Sequence, residues 1–289
     1  MSNVAIVTDT LACLPKELIE KYNISIVPII INFQGRAYRD SIDLSPHQAY
    51  ELFLKDPDAF ATSPASPMQY LEIFREAAQR TNQVLCFCVS SHLSTSYNVA
   101  RIAAEQVSSE LPSVQIQVIN SKTVLAAQGF IALAAAQAAS SCHDLSGALE
   151  TAIAVKERVT FSLVLETIQH VYRTGRVPKI ATQAASLFHI RPILTTRSGV
   201  VRLVSLSRNM QQGLDHITRT MKAKVGDDPM HVAVMHAYAP AEAERLSQRM
   251  SSEFNCVELW TTEVSPVVGY ALGAGAVGFA YYDGSGLGV

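Results

Sequence analysis

Five hydroxyl side chains crowd into one short stretch, SSHLSTS: Ser90, Ser91, Ser94, Thr95 and Ser96. Such a group can hydrogen-bond a carboxylate or a phosphate. It can also supply a nucleophile if a base stands within reach. The stretch follows VLCFCV, residues 84–89, an unbroken apolar run that predicts a strand covered on both faces. From about Ser94 a helical pattern begins, with Tyr97, Ile102 and Ala103 expected close to one face. The start of a helix offers unpaired N–H groups and the positive end of its dipole. Open α/β sheets place ligands at such strand-to-helix turns. Capping uses the same residue types, but one or two hydroxyls satisfy a cap and five are a surplus. A ligand site is therefore the favoured reading.

A second polar strand end, Asn120-Ser121-Lys122, follows a strand predicted over residues 114–119 and fits a cleft beside the first. Arg173, Arg176 and Lys179 gather around Gly175. Arg176 and Arg208 each follow small residues, and an arginine held at a turn can fork onto an anion. The remaining arginines of the second half read as a solvated face. GAGAVG, residues 273–278, has the glycine spacing of a dinucleotide fingerprint, but too few residues follow to supply the second strand and its acid. Close packing of a helix on the sheet is expected there instead. There is no G-x-S-x-G elbow and no P-loop. His231 and His236, five apart on a strand, fall on opposite faces, which is poor metal-ligand geometry. The five cysteines include no C-x-x-C pair, and Cys86 and Cys88 should point to one face as small hydrophobes.

These residues need a scaffold. Strands are expected over 4–8, 24–33 (broken at Pro28) and 36–39, with helices at 16–22, 45–54 and 68–80. ATSPASP, residues 61–67, reads as a loop, and Ser66 as a helix cap. Helices at 126–140 and 145–155 complete an alternating pattern, hence a parallel sheet. The later residues mix a hairpin, 193–196 with 200–205, with helices at 166–172, 180–188, 209–224 and 240–252 and strands at 161–165, 231–236 and 257–262. The expected fold class is α/β with two domains: residues 1–156, a mainly parallel sheet with helices on both faces, and residues 157–289, α+β. The net charge of −2 gives no long-range attraction to nucleic acid or anionic membrane. The chain opens directly on a strand pattern, and its longest apolar stretch, 124–139, is too short to span a bilayer. A cytoplasmic protein with no stable membrane insertion and no cofactor is expected.

Together these stretches resemble the DegV family of bacterial fatty-acid-binding proteins. The likeness rests on VAIVTDT with Leu14-Pro15, YRDSIDLSP, TSPASP, SSHLSTSYNVAR, VINSKT, TGRV, RPIL and SPVVGYALGAGAVGFAYY, all in order. The resemblance implies two α/β-type domains and a long-chain fatty acid held in an apolar pocket. It implies a carboxylate held by Thr62 and Ser94, with Ser63 and Ser91 beside them. Arg176 maps to the family's GGR arginine and Arg208 to one preceding the long helix. It further implies a carrier, or a protein that presents its ligand to a fatty-acid kinase, with no chemistry of its own. The chain departs from the family in having Cys13 where an aspartate is frequent, and Ala271 where a histidine stands at the head-group end. A serine hydrolase using Ser91 or Ser94, and a module for a small phosphorylated metabolite, are the alternative readings. Apolar positions such as Phe161, Leu163 and Ile193 could line a tail or be ordinary core.

Overall fold

The computed structural model describes residues 3–141, 144–176 and 190–286. The expected helix 180–188, Lys179 and Cys142 fall outside these. β1 (Ala5–Asp9) is wholly buried and turns through a 3-10 segment, Thr10–Ala12, towards α1 (Lys16–Tyr22). The apolar run that follows is split at Pro28, which has no N–H to continue a ladder. β2 (Ser25–Val27) therefore pairs with β1, while β3 (Ile30–Phe33) joins a different sheet. β4 (Arg36–Arg39) returns through a tight turn, and β5 (Phe60–Ser63) flanks β3 on its other side, giving a small antiparallel sheet β4-β3-β5. α2 (Pro46–Lys55) and α3 (Pro67–Ala78) open alike. In each, a serine accepts from the N–H three residues on, and the glutamine there accepts from the serine's N–H. Proline follows that serine in both, where its missing N–H costs nothing.

β6 (Gln83–Cys88), α4 (Ser96–Glu110) and β7 (Gln115–Asn120) complete a parallel sheet of order β2-β1-β6-β7 with helices on both faces. α5 (Ala126–Ser140) and α6 (Leu145–Arg158) then cross to the last part of the chain. Its strands are β8 (Thr160–Val164), β9 (Arg191–Arg197), β10 (Val200–Ser207), β11 (Met230–His236), β12 (Cys256–Glu263) and β13 (Val277–Asp283). They form one mixed sheet, β10-β9-β8-β13-β11-β12, antiparallel except for β11 beside β12. α7 (Gln169–Thr174) and α10 (Pro266–Leu272) contact each other. α8 (Met210–Val225) and α9 (Pro240–Glu253) cover one face of the mixed sheet through a core of Val164, Ile193, Val234 and Phe279.

α5 explains how the two large sheets share one core. It touches β1 and β6 on one side and β8 and β13 on the other. It is apolar nearly all round and almost wholly buried, as a helix enclosed on every side must be. Its alanines allow close approach, and at Gly129 a Cβ would come 2.5 Å from the Ala12 carbonyl oxygen.

Four expectations change. Residues 60–63 are a strand, because β3 offers them a ladder that outweighs the turn-forming residues beyond. α4 begins at Ser96, since the Ser94 side chain accepts the Ser96 N–H before the helix starts. Ile102 is 59% exposed, on the side of α4 away from Ala103. The GAGAVG glycines do not pack a helix on the sheet. Gly273 and Gly275, at positive φ, turn the chain out of α10 into β13. Gly278 lies in β13 against β8, where a Cβ would come 2.0 Å from the Ser162 carbonyl oxygen. Gly278→Ala should therefore destabilise the fold by about 2–4 kcal/mol through overpacking at backbone. Urea unfolding measures this, and an unchanged midpoint would mean that β13 and β8 do not meet this closely.

Candidate functional site

The parallel sheet changes direction between β1 and β6. From β1 the chain moves outwards to β2, and from β6 it moves the other way to β7. Ligands of open α/β sheets bind outside the carboxyl ends of the strands at such a reversal. A cavity lies there, about 890 Å³ with the open solvent at its mouth included. Leu11 enters it from the end of β1, and Val89, Leu93 and Ser94 from the end of β6. Thr62 and Ser63 come from β5, and Phe161, Leu194 and Val201 from the mixed sheet. Leu125 reaches it from the start of α5, Val267, Tyr270 and Leu272 from α10, and Arg176 from just beyond α7. The lining is mostly apolar. Its hydroxyls and its arginine are half-buried or exposed, while Val89, Leu125, Phe161 and Leu194 are almost fully buried. The polar part of the lining is thus accessible, and the fully buried part is apolar.

Of the expected site residues, Thr62, Ser63, Ser94 and Arg176 line this cavity, and Ser91 and Arg208 do not. Alternation along β5 puts Thr62 on the same side as buried Phe60, and its hydroxyl bonds to no described residue. Ser63 Oγ accepts from Asn32 Nδ2 at 3.1 Å. Ser94 Oγ accepts from the Ser96 N–H at 3.2 Å and lies 2.8 Å from Ser96 Oγ. With Ser96 donating in that pair, Ser94 keeps its own proton for a ligand. Ser91 Oγ instead accepts from Asn120 Nδ2 at 2.7 Å, outside the cavity. Ser90 is buried and donates to the Gly199 carbonyl at 2.7 Å, tying β6 to the β9–β10 hairpin. The hydroxyl surplus of the turn is mostly consumed by the scaffold. Ser121 likewise donates to the Thr123 carbonyl, so the second strand end contributes apolar Val124 and Leu125 instead.

Arg176 follows Gly175, whose φ of 67° ends α7 in a left-handed turn. Its Nη1 donates to the Thr174 carbonyl at 2.8 Å. Arg208 is exposed before α8. Phe161 lines the cavity, whereas Leu163 is core and Ile193 faces α8 on the other side of the sheet. Leu11, Leu125 and Tyr270 escaped the sequence reading, since their role depends on contacts far along the chain. Neither Ser91 nor Ser94 has a histidine hydrogen-bonded to its hydroxyl among the described residues, and Arg176 is the one cation among the described lining residues. No group of three His, Cys, Asp or Glu among the described residues could hold a metal, and no described helix is long and apolar enough to cross a membrane.

One buried carboxylate assembles part of the apolar wall. Asp9 accepts from the Leu11 N–H at 3.1 Å, the Val89 N–H at 3.2 Å and Gln128 Nε2 at 2.9 Å. It thereby ties together the ends of β1 and β6 and the first turn of α5. That turn is strained. Leu125 has φ 64° and ψ −157°, a region suited to glycine that costs about 1–3 kcal/mol for other residues. Its N–H donates to the Leu11 carbonyl at 2.9 Å, and its own carbonyl accepts from Gln128 N at 2.8 Å.

Burial raises the Asp9 pKa to about 6, with its hydrogen bonds to Gln128, Val89 and Leu11 opposing the rise. The folded state therefore holds this proton more tightly than the unfolded chain. The associated stability is complete below the unfolded value of 3.8 and is lost as pH rises through about 6. Two units correspond to about 3 kcal/mol. Against Asp9→Asn, which removes this titration, the wild-type advantage in unfolding free energy should shrink by about that amount between pH 4 and pH 7. Urea titrations at several pH values measure it, and an advantage that grows with pH would contradict the buried placement of Asp9.

Residues 3–284 match a family model described as "Uncharacterised protein, DegV family". A DegV domain-containing protein of Clostridium perfringens is 28% identical over 280 residues, which is 96% of this chain and 98% of that protein. The fold is similar to that of DegV, a fatty acid binding protein from Bacillus subtilis, with a TM-score of 0.86, 25% identity, and 98% of this chain and 100% of that one covered. It is also similar to a stearic-acid-binding protein from Eubacterium ventriosum, with a TM-score of 0.88, 23% identity and 98% of both chains covered.

Proposed function

The chain belongs to the DegV family, and from that premise we propose that it binds a long-chain fatty acid. The tail lies against the buried apolar lining and the carboxylate meets Thr62 and Ser94, with Ser63 and Arg176 also accessible. The observation that carries this reading is the division of one cavity's lining: two alcohols from separate elements and an arginine are accessible, and the fully buried lining is apolar. The description of the Bacillus subtilis relative as fatty-acid-binding supports it.

Energetics favour such a ligand. Burying about 15 methylenes contributes on the order of 12 kcal/mol, against an association cost of roughly 4–15 kcal/mol that a preformed cavity reduces. Tail burial therefore dominates affinity, and the hydroxyls fix the head. A buried carboxylate left unbonded would cost several kcal/mol. Hydrogen bonds from Thr62 and Ser94, with the Arg176 charge nearby, remove that penalty. With its head at the accessible hydroxyls, the acid remains reachable, as a carrier or a protein serving a fatty-acid kinase requires. In this reading the halves 1–156 and 157–289 contribute unequally: the first holds the hydroxyls, and the second supplies Arg176 and much of the tail wall.

Denaturing the purified protein should release a fatty acid detectable by mass spectrometry. Protein that carries none and takes up no added oleate would overturn the reading. Thr62→Ala with Ser94→Ala should reduce the preference for oleic acid over oleyl alcohol by about 10- to 100-fold. An unchanged preference in a competition assay would remove both residues from the head-group site.

A further inference from the structure

We propose that the Tyr270 phenol is a third hydroxyl donor to the ligand's carboxylate, beside Thr62. The inference rests on the fatty-acid reading above and deepens it. Tyr270 lines the cavity from α10, and α10 contacts β5. The centroid of its ring lies 5.7 Å from that of Phe60 and 6.1 Å from that of Phe53. Both phenylalanines are buried outside the cavity, so they back the Tyr270 ring from the core. Phe60 and Thr62 share one face of β5, roughly 7 Å apart along the strand. A ring that packs on Phe60 therefore stands at the Thr62 part of the wall. A group bonded to Thr62 is within the span of a tyrosine side chain there.

The phenol has no other employment. Tyr270 Oη is not sealed in the core and bonds to no described residue. Its neighbour Tyr50 is the contrast: buried on α2, it donates to the Val264 carbonyl at 2.8 Å. Tyr50 also packs on Gly269 so closely that no Cβ would fit between them. On the preceding turn, Ser265 Oγ donates to Asp40 at 2.6 Å and accepts the Val267 N–H at 3.3 Å. These contacts hold α10 in place, and the ring of Tyr270 with it. No Asp or Glu lines the cavity among the described residues. The strongest acceptor the phenol can meet is thus a carboxylate brought by the ligand, because a bond to an ionised oxygen is stronger than one to a neutral oxygen.

The test is competition binding of oleic acid and oleyl alcohol to the wild type and Tyr270→Phe. The substitution keeps the ring and removes one oxygen that has no protein partner, so folding should be preserved. The preference for the acid over the alcohol should fall by about 3- to 10-fold. An unchanged preference would overturn the assignment and leave the fatty-acid reading standing. Equal losses for acid and alcohol would also overturn it, since they would make Tyr270 a wall residue only. A wild type that binds no oleic acid would overturn both.

Discussion

The cavity depends on one buried carboxylate. Asp9 sits at the end of β1 and gathers three donors from separate parts of the chain: a neighbouring N–H, one at the end of β6 and the Gln128 amide on α5. Each tied segment also carries a cavity wall: Leu11, Val89 and Leu125. Burying a charge is unfavourable unless it is well bonded, and the raised pKa of Asp9 records that tension. The arrangement is stable because all three donors converge, and their convergence fixes the crevice between β1 and β6.

The second constraint is α5. A helix enclosed between two sheets must be narrow, and a run of alanines with Gly129 at its closest contact makes it so. α5 is pulled against β1 by Gln128 and by the Leu125–Leu11 hydrogen bond, and the residue before it, Leu125, stores strain in the cavity wall. The polar, accessible wall is built differently. Short strand β5 and the turn before α4 bring hydroxyls there from residues about thirty apart in the chain, and the αL turn at Gly175 adds a cation. Rigid apolar packing in the buried wall and loop-borne polar groups in the accessible one suit a ligand that is itself a tail with a charged head.

Much of the scaffold was legible locally. The break at Pro28, the serine cap at Ser66, the boundaries of α5 and the β9–β10 hairpin all follow from neighbouring residues. Local reading erred at residues 61–63, where β3 supplies a pairing partner, and at GAGAVG, where the glycines serve a turn and a close strand contact. It also treated the hydroxyls after β6 as one set. Four of the five divide among the hairpin, Asn120, solvent and a partner serine, and only Ser94 faces the cavity.

By itself the sequence determined most of the elements, the parallel character of the first sheet and, through the family resemblance, an interest in Thr62, Ser94 and Arg176, which line one cavity. Those depend on residue type and short-range spacing. Tertiary structure alone decided which apolar side chains are wall and which are core, as the differing fates of Phe161, Leu163 and Ile193 show. It also decided that Ser91 and Arg208 stand apart from the cavity, and that Leu125 lines it. The physical reason is that an apolar residue looks the same in sequence whether it packs against a neighbour or borders a void. Only the meeting of β1, β6 and α5 around Asp9 separates the two.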